Sequence, residues 1–290
     1  MPKIIASYKE TKALIDYHQI SIRRRWGQNF LIDQNIVEKI VSSCGEITHQ
    51  AVIEIGPGLG SLTQFLIKAA RHVIAYEIDE KLSLALKENF LGQENLEIIN
   101  QDFLSVDLKK LSSQLLKDYP GISIVANLPY YITTPVLFHI IESQVEFQQI
   151  TLMMQKEVAL RLSALKNTKD YGSLSVIIQY LFEVDYLFTI SNQVFYPKPK
   201  VDSALISLKR KVPTFDLKSE ALFFKFIKDS FRFRRKTLAN NLKDIMDLKE
   251  LNETLKKLGF DLKIRAEALS LEDYLKLFKE LYEKEIICES

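Results

Sequence analysis

The chain has 290 residues, of which 47% are hydrophobic, 26% charged and 10% aromatic, a composition that excludes a disordered or low-complexity protein. Its 39 basic and 37 acidic residues give a net charge of +2, so the total charge does not indicate a polyanionic partner. Two cysteines, four scattered histidines and no apolar run of about 18 residues lead us to expect a cytoplasmic protein without a disulfide framework, metal site or membrane span.

Strand and helix signals alternate along the first half of the chain. The predicted strands are, in chain order, 51–55, 72–78, 96–99, 122–126 and 150–154. Helices are predicted to begin at Ser61, Asp79 and Thr134, where a short polar side chain precedes or opens a helical pattern. Alternating βα units of this length predict an α/β fold with a parallel sheet.

The later part of the chain predicts a change of architecture. Segment 174–182 fits either a buried helix or a strand, and 185–190 and 201–209 predict two late strands. The pattern then becomes helical to the end of the sequence. We therefore expect a main α/β domain over 1–210 and a small all-helical C-terminal domain over 211–290.

The charge is unevenly distributed. Segment 200–243 contains twelve basic and four acidic residues, a net charge of +8, whereas 244–290 contains eight basic and twelve acidic residues, a net charge of −4. Such a basic segment is either a solvated surface or a face that binds nucleic acid phosphates. Charge alone leaves both interpretations open.

The loop after the first predicted strand has the pattern E-x-G-x-G-x-G, from Glu54 through Gly56 and Gly58 to Gly60. Glycines let a chain turn sharply and let its backbone approach a ligand closely. Ligands of parallel sheets bind at the carboxyl ends of the strands, where this loop is expected. The loop therefore predicts a binding site for a nucleotide-like ligand.

Two acidic residues indicate the kind of ligand. Glu77 lies at the end of the second predicted strand, where a carboxylate can accept hydrogen bonds from both ribose hydroxyls, and Asp102 follows the third, where it can accept one from an adenine amino group. Hydride-transfer enzymes carry G-x-G-x-x-G, whereas here the third glycine comes one residue early. The pattern is typical of methyltransferases, and we expect S-adenosyl-L-methionine at Gly56, Gly58, Gly60, Glu77 and Asp102.

The fourth predicted strand leads into Asn127-Leu128-Pro129-Tyr130, which is similar to the D/N-P-P-Y/F tetrapeptide of amino-group methyltransferases. An exocyclic amine is a weak nucleophile because its lone pair is delocalised into the ring. The Asn127 side-chain oxygen and a backbone carbonyl near Leu128 can accept its two N–H bonds and aim the lone pair at a sulfonium methyl group. Tyr130 offers a ring face to a base taken out of its stack. We predict these four residues as the catalytic group.

Seven segments in order carry a resemblance to a known enzyme family. One of the seven is the tetrapeptide itself, with the sequence N-L-P-Y. The other six are 27–33 (GQNFLID), 153–161 (MMQKEVALR), 171–176 (YGSLSV), 195–203 (FYPKPKVDS), 231–238 (FRFRRKTL) and 265–270 (RAEALS). Along almost its whole length the chain resembles the small-subunit ribosomal RNA adenine N6,N6-dimethyltransferases.

This resemblance implies a Rossmann-like methyltransferase sheet that binds S-adenosyl-L-methionine and a helical domain that binds RNA. It implies dimethylation of N6 of two adjacent adenosines near the 3′ end of small-subunit (16S) rRNA, within a pre-ribosomal small subunit, and a role in ribosome biogenesis. The family's cofactor contacts carry over to Asn29, Leu31 and Asn127. We expect a monomer, since nothing in the sequence requires more.

The resemblance also favours the phosphate-binding interpretation of the basic segment. We predict a helix in which Phe231 and Phe233 alternate with basic residues that contact RNA. These residues are Arg232, Arg234, Arg235 and Lys236. Phe195 is expected either as a second aromatic wall of the target-base pocket, opposite Tyr130, or as an ordinary core residue.

Two other functions stay open at this point. One is methylation of an adenine of large-subunit rRNA by an enzyme of the antibiotic-resistance type, a group that more often has N-I-P-Y/F and lacks the R-A-E-x-L-S segment. The other is a ribosome-assembly factor that acts mainly by binding. The intact glycine loop, Asn127 and Tyr130 favour an enzyme.

Overall fold

The computed structural model describes residues 4–23, 27–129, 131–212, 214–284 and 286–287. Its strands are β1 (Phe30–Leu31), β2 (Ala51–Ile55), β3 (His72–Glu77), β4 (Leu96–Asn100), β5 (Ile122–Asn127), β6 (Gln149–Gln155), β7 (Phe182–Ile190), β8 (Phe195–Tyr196) and β9 (Ser203–Arg210). Its helices are α1 (Tyr8–Tyr17), α2 (Gln34–Ser42), α3 (Thr63–Ala69), α4 (Glu80–Asn89), α5 (Leu108–Leu115), α6 (Thr133–Ser143), α7 (Lys156–Leu162), α8 (Ser173–Leu181), α9 (Leu217–Ser230), α10 (Leu238–Leu242), α11 (Leu248–Lys257) and α12 (Leu271–Glu283).

Seven strands form one sheet in the order β4-β3-β2-β5-β6-β9-β7. The neighbours from β4 to β6 are parallel, and β9 runs antiparallel to β6. Every residue of β2 is buried, as expected for a strand covered on both faces. The chain runs from β2 outward to β4 and then returns to β5 on the other side of β2. The carboxyl ends of β2 and β5 therefore flank the switch point where ligands of such sheets bind.

Short polar side chains begin the helices that cover the sheet. The Asp79 carboxylate caps α4 by accepting hydrogen bonds from two N–H groups of its first turn, and Asp33 caps α2 through one. Such caps satisfy N–H groups that have no partner within a helix. The predicted capping role of Ser61 is wrong: α3 begins at Thr63, and Ser61 Oγ donates to the Leu31 carbonyl oxygen at 2.8 Å.

A two-stranded antiparallel ribbon lies apart from the main sheet. It pairs β1 with β8, so that Phe30 is opposite Tyr196 and Leu31 is opposite Phe195. The ribbon joins two segments that are far apart in the sequence, 27–33 and 195–203. These are two of the segments that carry the family resemblance.

Backbone contacts divide the chain into two compact units. The first comprises Met1–Ala159 and Asp185–Arg210, and the second comprises Leu160–Val184 and Lys211–Ser290. The predicted domain boundary at 210 coincides with one boundary between the units. The prediction placed residues 160–184 in the first domain, but in the structure they group with the C-terminal residues because α8 packs against α9 and α12.

Aromatic rings fill the core of the second unit. The buried ring of Phe278 lies with its centroid 5.2 Å from that of Phe223 and 5.9 Å from that of Phe226. Tyr180 packs against Phe223 at 5.1 Å, and Tyr274 against Phe226 at 6.2 Å. These tilted and edge-on ring contacts hold the helices of this unit together.

The predicted helix through the basic motif is wrong. Helix α9 ends at Ser230 and α10 begins at Leu238. The residues between them form a loop, and we call its part 231–236 the arginine loop. The side chain of Asn241, 4% exposed, accepts a hydrogen bond from the Phe233 N–H at 3.0 Å and donates one to the Ser230 carbonyl oxygen at 2.7 Å. These bonds satisfy backbone groups that a continuous helix would have paired internally.

The other fold predictions compare well with the structure. The α/β class is confirmed, the segment 174–182 is mostly helix α8, and the two late strands are present as β7 and β9. Among the described residues, no helix is long and apolar enough to cross a membrane. Within the same residues, no three His, Cys, Asp or Glu side chains are grouped as metal ligands would be.

The aromatic core of the second unit can be tested by truncating Phe278. We expect Phe278→Ala to lower the free energy of unfolding by about 3–5 kcal/mol, because it removes a buried ring and leaves a cavity. Urea unfolding followed by circular dichroism measures the loss. Tyr282→Ala is the matched control: its ring stacks on Phe278 at 5.7 Å but is 38% exposed. Equal losses in the two variants would contradict this assignment of the core.

Candidate active site

The carboxyl ends of β2, β3, β4 and β5 border a cavity in the first unit. The residues predicted from the sequence that line it are Asn29, Leu31, Gly56, Gly58, Glu77, Asp102, Asn127, Leu128, Pro129 and Phe195. Gly60 is not part of the lining, and Tyr130 lies outside the described residues. The fold thus brings together residues from the ribbon and from the ends of four strands.

The first glycine of the loop has the open geometry that a ligand needs, whereas the second packs closely against a ring: a Cβ added at Gly58 would lie 3.1 Å from Phe30 Cε1. Gly56 and Gly58 have φ angles of +67° and +61°, a backbone conformation that residues other than glycine rarely adopt. A Cβ added at Gly56 would have no neighbour within 4 Å, so the backbone faces free space there. The Gly58 N–H donates to Glu77 Oε2 at 3.1 Å, which fixes the loop to the end of β3.

Gly60 has a different environment. Its φ angle is +96°, and an added Cβ would overlap the ring of Phe90 and lie 3.1 Å from Leu86 Cδ2. The missing side chain therefore makes room for these residues at the end of α4. This position gives Gly60 a role in packing, and its contact with the cofactor stays a prediction.

The Glu77 carboxylate is 5% exposed and is held by backbone groups. It accepts hydrogen bonds from the N–H of Gly58 at 3.1 Å and from that of Asp79 at 2.9 Å. Burial raises its pKa to about 7, and the negative charge of Asp79 acts in the same direction, whereas the backbone hydrogen bonds oppose the shift. A carboxylate oxygen has more than one lone pair, so the group can accept further hydrogen bonds from ligand hydroxyls.

Glu54 is a lining residue to which the sequence analysis gave no role of its own. It is 1% exposed; its Oε2 accepts a hydrogen bond from Thr63 Oγ1 at 2.7 Å, while Oε1 has no partner among the described residues. Burial raises the pKa of Glu54 to about 8, and the negative charge of Glu77 adds to the effect. Its place as the acidic residue of the glycine pattern was the available signal.

Asp102 and Tyr131 lie at the exposed side of the cavity. Asp102 Oδ1 accepts a hydrogen bond from the Leu104 N–H at 2.9 Å, and its second oxygen is the atom predicted to accept from an adenine amino group. Tyr131, 54% exposed, also lines the cavity. Partial burial raises the pKa of Tyr131, as do the charges of Asp102 and Glu77. Tyr131 was not predicted from the sequence, although it directly follows the tetrapeptide.

Asn127 is the last residue of β5, and its side-chain amide has a defined orientation. Its Nδ2 donates to the carbonyl oxygen of Asn29 at 3.2 Å. An amide has one donor end and one acceptor end, so this bond leaves Oδ1 as the acceptor on the opposite side. The next residue, Leu128, is buried, and its N–H donates to the Met153 carbonyl oxygen at 3.1 Å. The end of β5 therefore presents an oxygen of the kind that an N–H donor requires.

The β1–β8 ribbon supplies an apolar wall of the cavity. Phe195 is 3% exposed, belongs to the hydrophobic core of the first unit and also lines the cavity. The two interpretations that the sequence left open for Phe195 are thus compatible. Leu31 is 2% exposed and is fixed through its carbonyl oxygen by Ser61.

The groups that line the cavity fit S-adenosyl-L-methionine. The open backbone at Gly56, the acceptors of Glu77 and the free oxygen of Asp102 suit a nucleoside. The unpaired oxygen of the buried Glu54 suits a positively charged group. S-adenosyl-L-methionine combines an adenosine with a sulfonium and an ammonium group.

Comparison with known proteins agrees with this geometry. A family model described as ribosomal RNA adenine dimethylase matches residues 19–283. The chain belongs to this family. It is 44% identical over 285 residues to the proteins named "Ribosomal RNA small subunit methyltransferase A" of Streptococcus thermophilus and Streptococcus pyogenes. These matches cover 96% of this chain and 98% of each relative.

Solved structures of similar proteins support the same conclusion. A dimethyladenosine transferase from Plasmodium falciparum is 26% identical with a TM-score of 0.74, and the match covers 89% of this chain and 98% of that one. The 23S rRNA methyltransferase ErmE is 28% identical with a TM-score of 0.69, and the match covers 87% of this chain and 99% of that one. The predicted fold and family are confirmed. This member of the adenine dimethylase family is a methyltransferase that acts on rRNA with S-adenosyl-L-methionine as its cofactor.

The raised pKa of Glu77 gives cofactor binding a testable pH dependence. The predicted hydrogen bonds from both ribose hydroxyls to Glu77 are strongest when the carboxylate is ionised, and its pKa is about 7. Affinity for S-adenosyl-L-methionine should therefore rise from about pH 6 to about pH 8, with release of protons on binding near neutral pH. Calorimetry in buffers of different ionisation enthalpy measures both quantities.

Variants of Glu77 separate its contribution from other titrating groups. Glu77→Ala should weaken cofactor binding by about 1–3 kcal/mol, and Glu77→Gln should reduce the proton release. Glu97→Ala, on the neighbouring strand β4 and exposed, is the control and should leave the affinity unchanged. An unchanged affinity in Glu77→Ala would show that the ribose site is elsewhere.

Proposed function

We propose that this enzyme dimethylates N6 of two adjacent adenosines near the 3′ end of small-subunit rRNA. It acts as a cytoplasmic monomer on a pre-ribosomal small subunit and contributes to small-subunit biogenesis. The observation that carries the proposal is the 44% identity, over nearly the whole chain, with relatives named as small-subunit methyltransferases. The large-subunit alternative has weaker support, since the 23S rRNA methyltransferase ErmE is 28% identical.

The orientation of Asn127 explains how the tetrapeptide can promote transfer. S-adenosyl-L-methionine supplies an electrophilic methyl group. Asn127 Oδ1 accepts a hydrogen bond from one N–H group of the target amine, and a backbone carbonyl near Leu128 accepts a hydrogen bond from the other. These two acceptors hold the nitrogen lone pair toward the methyl group by orientation and electrostatics. No strong base is needed, because the alkylated amine is acidic and loses its proton afterwards.

Two aromatic residues are proposed to hold the flipped adenine. Phe195 is buried and lines the cavity, so its ring supports the assignment as one wall of a base pocket. Tyr130 is proposed as the opposite wall on the sequence alone, and Pro129, the residue before it, lines the cavity. A base between two apolar surfaces regains the stacking that it loses outside the RNA.

The direct test is methylation of ribosomal particles from cells that lack this protein. The purified enzyme should add four methyl groups to a 3′-terminal fragment of small-subunit rRNA, measured by mass spectrometry, and none to large-subunit rRNA. Methylation of large-subunit rRNA instead would support the alternative of the resistance type. Binding to the particles without methylation of either rRNA would support an assembly factor that acts by binding.

Asn127→Ala tests the catalytic assignment in the same assay. The variant should keep its fold and RNA binding but lose most of its turnover, because the side chain acts on the amine in the transition state. Asn95→Ala is the control: Asn95 precedes β4 at the amino end of the sheet, and its side chain also donates to a backbone carbonyl, that of Ile67 at 2.8 Å. Turnover of Asn127→Ala within about threefold of the wild-type value would exclude the proposed role.

The arginine loop is proposed to contact rRNA phosphates through Arg232, Arg234, Arg235 and Lys236. All four are exposed, and the Arg232 guanidinium lies 5.3 Å from the ring centroid of Phe233, itself 54% exposed. Arg234 Nε lies 3.2 Å from Glu267 Oε2, whereas Arg235 and Lys236 have no ion pair within the described part of the chain. Arg235 and Lys236 are therefore the members of the group whose charge is most available to phosphates.

We expect Arg235→Ala/Lys236→Ala to weaken RNA binding and to reduce its salt dependence. Each lost phosphate contact lowers the slope of log affinity against log salt by about 0.7–0.9, and filter binding over a series of salt concentrations measures it. Lys276→Ala/Lys279→Ala removes the same charge from exposed positions of α12 in the same unit and should have a smaller effect. Equal slopes of log affinity against log salt for the two double variants would show that the arginine loop is an ordinary solvated surface and not a phosphate-binding one.

A further inference from the structure

Asp79 contacts both Glu77, at the end of β3, and Gln28, in the segment that leads into β1. Its Oδ1 caps α4, and its backbone N–H donates to Oε1 of Glu77 at 2.9 Å. Its Oδ2 accepts a hydrogen bond from Gln28 Nε2 at 3.3 Å and lies 3.7 Å from Arg23 Nε. The residue is 6% exposed, so these contacts are largely shielded from water and a lost one is not readily replaced.

Gln28 is held at both ends of its amide. While its Nε2 donates to Asp79, its Oε1 accepts a hydrogen bond from the Arg23 N–H at 2.7 Å. Gly27 has a φ angle of +60°, and its carbonyl oxygen accepts a hydrogen bond from Asn29 Nδ2 at 2.9 Å. These hydrogen bonds therefore restrict the conformation of the backbone on either side of Gln28 as long as Asp79 holds the Gln28 side chain.

The residue after Gln28 determines which end of the catalytic amide faces the cavity. The Asn29 carbonyl oxygen accepts the Nδ2–H of Asn127 at 3.2 Å. Rotation of the Asn127 amide by 180° would place two oxygens against each other and turn a donor, which the target amine cannot use, toward the cavity. The position of one backbone carbonyl thus selects the productive orientation.

We propose that Asp79 and Gln28 are positioning residues that fix the Asn29 carbonyl and, through it, the acceptor orientation of the Asn127 amide. The inference rests on the proposed function, because it assumes that Asn127 Oδ1 accepts from the target amine. Neither side chain is assigned a contact with the reacting atoms, although Gln28 also lines the cavity. Their loss lowers turnover, while RNA binding changes little, and so does cofactor binding at a pH where Glu77 is ionised.

An exchange of donor and acceptor tests the proposal. Gln28→Glu places a carboxylate against the carboxylate of Asp79, and Asp79→Asn places an amide donor against that of Gln28; asparagine still caps α4. Each single variant should lower kcat about fivefold or more, the effect of one lost hydrogen bond in a shielded position. In the double variant Gln28→Glu/Asp79→Asn, the introduced amide donates to the introduced carboxylate, and kcat should recover to within about threefold of the wild-type value.

A second readout reports on Asn127 without turnover. The signal of its side-chain amide in a nitrogen–proton correlation spectrum is identified by its absence in Asn127→Ala. Hydrogen exchange of this amide should be slow in the wild type and in the double variant, and faster in each single variant, because the bond to Asn29 is weakened. Calorimetry at a pH well above 7, where Glu77 is ionised with or without the Asp79 charge, should give cofactor affinities within about threefold of one another in the wild type, the two single variants and the double variant.

Gln34→Ala is the matched control. Gln34 Nε2 donates to Glu38 Oε1 at 2.7 Å on the exposed side of α2, so the variant loses the same type of bond away from the cavity and should keep its kcat. Single variants with wild-type kcat, or a double variant with the combined loss of both, would overturn the proposal. Absence of activity in the wild type on small-subunit particles would instead refute the proposed function, and the exchange readout would still decide the role of Asp79 and Gln28.

Discussion

The cost of burying two carboxylates at neighbouring strand ends determines the character of this site. Glu54 on β2 and Glu77 on β3 are 1% and 5% exposed, and burial raises their pKa values to about 8 and about 7. A carboxylate away from water is tolerated only with hydrogen bonds or an opposite charge. Two backbone N–H groups serve Glu77 and one hydroxyl serves Glu54. A cationic ligand with hydroxyl groups supplies what both still lack, which is why the site suits S-adenosyl-L-methionine.

The sheet alone does not complete the site. It delivers Asn127 to the end of β5, but the partner that orients the amide, the Asn29 carbonyl, belongs to the segment that leads into β1. That segment is fixed on one side by the pairing of β1 with β8 and on the other by the contact of Gln28 with Asp79. Several segments that are remote in sequence therefore contribute to one feature of the site, the orientation of the Asn127 amide.

The features that could be predicted from the sequence are those that follow from local pattern and topology. In a parallel sheet the strand ends meet at one edge, so the positions of Glu77, Asp102 and Asn127 after their strands were enough to bring them together. The role of Gly60 was not predictable in this way, because it depends on a ring of another element. The predicted helix through the basic motif failed for a related reason. The arginine loop is held by Asn241, a buried side chain of α10, and polar residues that hold loops are visible in a sequence only after their backbone partners are known.

The uneven charge of the sequence has a different meaning in three dimensions. Segment 200–243 carries a net charge of +8 and segment 244–290 a net charge of −4, but within the second unit acidic residues of the latter pair with basic residues that precede them. Glu267 pairs with Arg234, and Asp273 with Lys166. A cation that already has a carboxylate partner gains less from a phosphate, because the two anions compete for it. The count of charges along the chain therefore overstates the charge that RNA can use, and the position of each carboxylate decides which basic residues of the arginine loop are available.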